Sequence, residues 1–316
     1  MTPRPPIIVG AGLAGLIAGH AWPQALILEQ SPAPTQTHKA LLRFRSEAVS
    51  QLTGIEFRRV LVRKGIWSGG RFVDPSIRLA NQYAQKCIGV LAADRSIWNV
   101  APVERFIAPE DFHEQLLVGT RERIEFGVDA FAPGQRADSG PLISTAPLPL
   151  TAAALKVLPA GHEFLRAPIS VRRFDLGAKC DLYQTVYFPD PDVSVYRASI
   201  TGRTLIVELA GRETAPLDRP EGYADVLSAF GLTNISWESS GAVKQQYGKI
   251  AHVNDDMRRR LLFTLTHDFD IYSLGRFATW RNILLDDVVQ DIAVVKRLMK
   301  GGSYELRHAA GSSAKG

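Results

Sequence analysis

The period of the apolar positions changes along the chain. Near the N-terminus a short β-branched run, Pro6-Ile7-Ile8-Val9, breaks into the glycine string GAGLAG, Gly10 to Gly15. A second run, Ala25-Leu26-Ile27-Leu28, ends at Glu29. Runs this short, bounded by glycine or an acid, read as strands buried on both faces. From about 170 to 250 the pattern shifts to short alternating stretches: DLYQTVYFPDPDVSVYRASI, RTLIVEL and AVKQQYGKIAHV. Period two with aromatics and Pro-Asp turns predicts an antiparallel sheet with one wet face. Near the C-terminus Leu285, Val288, Val289, Ile292, Val295, Leu298 and Met299 recur at three and four, predicting an amphipathic helix. Asp286 and Asp287 stand at its start, Lys296, Arg297 and Lys300 at its end, and Gly301 stops it.

The first segment carries chemistry as well as pattern. Strand, glycine turn and helix follow in the order a dinucleotide motif requires. Gly10 permits the tight turn, Gly12 lets backbone approach a pyrophosphate, and Gly15 lets helix and strand pack closely. Helix-end N–H groups favour the phosphate charge, and a carboxylate at Glu29 can accept bonds from a ribose diol. Glu29 follows Gly10 closely and Pro23 interrupts the connection, so the first helix should be about one turn shorter than is common. The motif sits near the N-terminus and no second glycine fingerprint follows, which favours FAD over a nicotinamide nucleotide.

Composition excludes more than it selects. The chain has 316 residues, 46% hydrophobic and 22% charged, with formal net charge +5, as expected of a globular protein. No apolar run approaches the ~20 residues that cross a bilayer, and no secretory signal is legible, so a cytoplasmic protein is expected. Cys87 and Cys180 and the scattered histidines show no ligand spacing, so no metal site is expected. The basic charge is concentrated: Lys39, Arg43, Arg45, Arg58, Arg59, Arg63 and Lys64 stand against Glu47 and Glu56. Such a run can track nucleic-acid phosphates, bind a flavin or sugar-nucleotide pyrophosphate, or form a solvated face.

Further segments carry a family resemblance. GPLISTAPLPL, residues 140 to 150, looks like the strand and turn by which UDP-galactopyranose mutases, protoporphyrinogen oxidases and amine oxidases return to their FAD domain. The stretch Arg123 to Val128 resembles the strand closing over the adenosine half. VSVYRASI resembles the mutase strand that turns an aromatic and an arginine toward substrate, matched by Tyr196 and Arg197. GRFATWRNILLDDVVQDI aligns without a gap with the mutases' C-terminal flavin motif. The resemblance implies an α/β fold: a Rossmann-type FAD-binding domain with a parallel sheet from residues 1–75, 117–160 and 250–300. A helical insert at 76–116, an antiparallel-sheet substrate domain at 161–249 and a flexible tail at 301–316 would complete it. The chain departs from the family in lacking a Gly-Gly-Arg segment after the ribose acid, where HKALLRFRS stands instead, and in its smaller size. In size and pattern it also resembles small FAD proteins of bacteriophages with hypermodified thymine.

Carried over by position, the cofactor-binding residues are Gly10, Gly12, Ala14, Gly15, Glu29, Gln30, Arg43, Arg45, Val128, Thr145, Gly275, Arg276, Leu285 and Asp286. The last two would lie under the flavin ring or ribityl chain. Lys249 and Tyr247, in QQYGKIA, join Tyr196 and Arg197 as catalytic candidates, with Lys249 holding a water as a lysine does in amine oxidases. Lys39, Arg45, Arg58, Arg59 and Asn81 are candidates for binding substrate or nucleic acid. Two reactions compete: oxidation of a C–N bond in an amine or an amino-acid-modified thymine, leaving an aminomethyl base, and a mutase-like sugar-nucleotide isomerisation. A flavin-binding scaffold without turnover is the third alternative.

Overall fold

The computed structural model describes residues 5–34, 40–92, 97–132, 140–177, 181–211, 220–233 and 243–300. Lys39, Cys180 and the expected tail at 301–316 lie outside them. Five short strands form an all-parallel sheet: β1 (Ile7–Val9), β2 (Leu26–Glu29), β6 (Ile124–Phe126), β7 (Leu142–Ser144) and β13 (Ile271–Ser273). Their order is β13-β7-β1-β2-β6, with Ile8 level with both Ile27 and Ile143. Strict alternation sends Ile8, Ile27, Ile143 and Tyr272 into one core and Leu142 and Ile271 into the other. The first core is roofed by α1 (Leu13–Ala21), α2 (Ala48–Thr53), α4 (Phe112–Val118) and α8 (Leu285–Lys300); the second is roofed by α5 (Leu148–Ala154) and α7 (Asp255–Phe269). Covering both faces explains why these strands read as continuous apolar runs.

Helix α1 has only nine residues, and cations close its C-terminal end. The Arg123 guanidinium donates to the carbonyls of Gly19, Trp22 and Ala25, and Lys296 Nζ donates to Ala21 O at 2.7 Å. Both satisfy carbonyls that a helix end leaves open and complement its negative pole.

The second sheet runs β12 (Val243–Ile250), β8 (Arg166–Asp175), β11 (Thr204–Ala210), β10 (Val195–Thr201), β9 (Tyr183–Tyr187), β3 (Arg58–Ser68) and β4 (Arg71–Phe72), with β5 (Val103–Ile107) paired to β3. It differs from expectation in three ways. Residues 58–72, expected with the nucleotide-binding layer, belong here, and β3 pairs with β9 in parallel. The insert at 76–116 contributes β5 besides α3 (Ile77–Ile88) and α4. Neither face of the sheet is wholly wet: α6 (Ala224–Phe230) closes one over Phe174, Phe188 and Val207, while α3 closes the other with Tyr83 and Cys87 against Ile66, Val171 and Tyr196. The extra strand was hidden because its inward residues, Val60, Val62 and Ile66, are interleaved with arginine and lysine.

Candidate functional site

At the head of α1 the glycines have distinct reasons. Gly10 takes φ +95, and a Cβ there would lie 2.6 Å from Thr145 Oγ1. A Cβ at Gly15 would stand 1.8 Å from Gly10 O, so strand and helix are in contact at that point. Gly12, the exposed N-cap, meets nothing within 4 Å. Leu16 N–H makes the first helical bond to Gly12 O, which leaves the preceding N–H groups directed out of the helix end. Packing therefore fixes two glycines, and the third leaves open ground at a positive helix pole, which fits a pyrophosphate.

Around that ground the other nucleotide-side residues are held firmly. Glu29 accepts the Ala11 N–H at 2.7 Å on one carboxylate oxygen and the Ser31 N–H at 2.8 Å on the other. Val128, half-buried beside it, donates its N–H to Glu29 O at 3.0 Å, while Gln30 is exposed. Thr145 ties β7 to β1 through Oγ1–H to Val9 O at 2.7 Å.

The turn after β13 comes up against the same helix end. Gly275 has φ +92, and its Cβ would fall 2.9 Å from Ala14 Cβ. Thr279 donates to Gly275 O from both N–H and Oγ1, at 3.0 and 2.7 Å. Trp280 adopts φ +48, a conformation costing a non-glycine residue about 1–2 kcal/mol. Its indole is buried, donates to Ala251 O at 3.1 Å and meets Phe164 edge-on at 5.0 Å. The Arg276 guanidinium donates to Asn282 Oδ1. Leu285, half-buried, opens α8.

Asp286, expected beside the flavin, is engaged by contacts within the protein. Its buried carboxylate accepts the N–H groups of Arg45 and Ser46, both at 3.0 Å, and the Ser46 hydroxyl at 2.9 Å. Arg45 itself pairs with Asp287 at 2.5 Å. The head of α8 thus clasps the segment that replaces the family's Gly-Gly-Arg. Arg43 is likewise turned into protein: its guanidinium donates to Thr185 Oγ1, Gln184 O, Ile200 O and Thr201 Oγ1. Burial lowers its pKa to about 10, and those four acceptors belong to β9 and β10 rather than to any phosphate.

Opposite the nucleotide side, β10, β11 and β12 bring three of the four catalytic candidates together. Lys249 is buried with Nζ 4.7 Å from the centre of the Tyr196 ring, a cation–π contact. Tyr196 is fully buried, which together with the Glu208 charge pushes its phenol well above the usual range. Arg197 makes a two-pronged ion pair with Glu208, using Nε to one oxygen and NH2 to the other at 2.7 Å. Burial alone would raise the Glu208 carboxyl, but Arg197, Lys249 and the Leu41 N–H together hold it at about 2. Burial likewise opposes the charge on Arg197, yet Glu208 carries its pKa above the ordinary value. Arg197 therefore belongs to Glu208 and does not present a free fork to substrate. The fourth candidate, Tyr247, packs elsewhere, under the Arg166 guanidinium at 4.2 Å and beside Phe277.

Glu208 itself escaped sequence reasoning. The signal was present in TLIVELA, where a carboxylate shares the face of Ile206 among alternating apolar residues. A buried acid at such a position needs a cation opposite, and Arg197 is its cross-strand partner.

The basic run does not form one surface. Arg58 pairs with Asp181, Arg59 with Glu104 and Arg45 with Asp287, while Lys64 donates to Asn99 O. Strand alternation separates it, and acids distant in sequence pair with three of its cations. Asn81 lies exposed on α3, whose inward residues are Tyr83, Ala84 and Cys87.

A parallel sheet with a glycine turn at its first helix, joined to a largely antiparallel sheet, makes a mixed α/β fold consistent with an FAD-binding domain and a substrate domain. Among solved structures, reduced UDP-galactopyranose mutase shares it with TM-score 0.66 at 13% identity, over 96% of this chain and 95% of that one. A CLA-producing fatty acid isomerase from P. acnes matches at 0.55 and 13%, over 93% and 98% of the two chains. A redesigned putrescine oxidase matches at 0.50 and 12%, over 95% and 99%. At these identities the likeness is one of fold. No family model matches the chain, and no curated protein matches its sequence. Among the described residues no helix is long and apolar enough to cross a membrane.

Proposed function

We propose that the chain binds FAD and oxidises the C–N bond of an amine or amino-acid substrate. Gly10, Gly12, Gly15 and the head of α1 would take the pyrophosphate, Glu29 the ribose diol, and Val128 the adenine side. Gly275, Arg276 and Leu285 would flank the flavin half. FAD supplies the two-electron acceptor that such an oxidation requires.

The observation that carries the reading is the position of Lys249. Two residues beyond it Ala251 O accepts the Trp280 indole N–H, and the same turn brings Gly275 against Ala14 of the glycine fingerprint. Lys249 is thus a buried cation at the seam between the two sheets. Its ammonium is held over the Tyr196 ring and near the Glu208–Arg197 pair. There it can hold and orient a water, first excluded from bulk solvent and then used to hydrolyse the imine that C–N oxidation leaves. The putrescine oxidase of similar fold supports this class of substrate. The mutase reading uses Tyr187, Tyr196 and Arg197 for a nucleotide, and of these Tyr196 is buried and Arg197 is paired with Glu208. The DNA-bound thymine substrate drew on the basic run, and the pairing of Arg45, Arg58 and Arg59 with acids turns preference to free amines.

Anaerobic mixing of the FAD-loaded protein with a panel of amines and amino acids tests the reading. Visible flavin absorbance should bleach with one class of amine, and Lys249→Met should retain flavin and still bleach, yet release the carbonyl product and amine more slowly. The reading fails if the protein takes up no FAD, or if only reduced protein acts and only on UDP-galactopyranose.

A further inference from the structure

A cleft of about 760 Å³ opens beside residues 40–42 and neighbours the Lys249 cluster. Leu41 forms the wall between them: it lines the cleft, and its N–H bonds Glu208 at 3.3 Å. Leu13 borders the cleft, but Gly10, Gly12, Gly275, Tyr196 and Lys249 take no part in its lining. Its volume lies in the range that holds small ligands. Leu42, Phe57, Ile107, Phe112 and Ile206 give it an apolar interior.

One cation faces that interior without a carboxylate of its own. Arg173, on β8 directly across from Ile206, is half-buried with its Nε lacking a hydrogen-bond partner. The other arginines of the lining, Arg58 and Arg59, are paired with Asp181 and Glu104 at the exposed rim. Among the described residues no ion pair reaches Arg173. Burial lowers its pKa, and the nearby charge of Glu110 offsets only part of that. A desolvated guanidinium beside apolar walls is completed by an anion that brings its own apolar body. Two exposed carboxylates, Glu56 and Glu110, also line the cleft, and they disfavour a doubly charged group such as phosphate.

We propose that this cleft is a binding site for a monocarboxylate with an aliphatic body, its carboxylate on Arg173 and its chain along Leu42, Phe57 and Ile206.

Isothermal titration calorimetry on the FAD-loaded protein tests this with decanoate, decanol and decyl phosphate as probes. Decanoate should bind more tightly than the other two. Arg173→Met, which keeps the apolar stem, should weaken decanoate by about tenfold or more. Arg173→Lys should recover part of that loss as a point charge. Thr204→Trp, which places an indole at the cleft wall, should abolish binding while the flavin spectrum stays unchanged. The proposal is overturned if decanoate shows no binding at roughly 1 mM, or if decanol or decyl phosphate binds as tightly. Equal affinity in a folded Arg173→Met variant, or displacement of decanoate by substrate amines with Thr204→Trp still binding, would place the acid elsewhere and equally overturn it.

Discussion

Replacing Glu208 by glutamine removes one charge and leaves the shape of the cluster nearly intact. The carboxylate is 1% exposed, and its pKa falls from 4.5 to about 2 in the folded protein. A fall of that size favours the ionised form by about 3 kcal/mol at ~1.4 kcal/mol per pH unit. Because the folded pKa lies below the unfolded one, this stabilisation is complete above pH 4.5 and is lost as pH falls toward 2. Glu208→Gln should therefore lose about 3 kcal/mol at neutral pH, in line with breaking a buried pair from one side. Its stability should also decline less steeply than that of the wild type across the acid window. Urea unfolding followed by circular dichroism, at neutral pH and through that window, reads both effects. The double variant Arg197→Met, Glu208→Leu should recover part of the loss, with Lys249 still holding a charge there. A loss below about 1 kcal/mol at neutral pH, or an unchanged acid slope, would show that the pair does not hold the sheet as argued.

Gly15→Ala should deprive the protein of flavin and lower its yield, since the new methyl falls 1.8 Å from Gly10 O; visible absorbance and thermal melting check this. Gly12→Ala, whose methyl meets nothing within 4 Å, should melt like the wild type and lose only FAD affinity. Asp286→Ala leaves the Arg45 and Ser46 N–H groups without their acceptor, so stability should fall by about 2 kcal/mol and limited proteolysis should cut near residue 45. Lys86 Nζ donates to the carbonyls of Phe188, Asp190 and Val195; Lys86→Met should cost about 2–4 kcal/mol, measured by urea unfolding.

What the sequence showed clearly was whatever repeats locally. GAGLAG followed by Glu29, the alternation of 170 to 250 and the three–four spacing of α8 all reflect a single strand, turn or helix, and each stands in its expected element. What it concealed was pairing across distance. β3 was masked because Val60-Leu61-Val62 is flanked by Arg58, Arg59, Arg63 and Lys64, so a strand buried on one side read as a basic patch. Arg43 and Asp286 carry the residue types that hold cofactors, and only their partners on β9, β10 and the Arg45–Ser46 segment show that they hold protein. Arg197 and Glu208 sit on adjacent strands, and neither residue alone discloses that it neutralises the other.

The Asp286 clasp has a consequence for how the protein is made. Arg45 and Asp286 are 241 positions apart, and β13, which completes the sheet beside β7, also comes late. At ~5–20 residues per second of synthesis, Arg45 waits roughly 12–48 s for its acceptor to be translated. During that interval β1, β2 and then β7 can pair, but the sheet edge at β7 stays open and the glycine turn lacks the Gly275 wall. A cofactor that needs both walls is therefore captured only after Gly275 has been translated. Free FAD or a chaperone acting in that interval would meet a half-built nucleotide domain, and the finished antiparallel sheet would be waiting beside it.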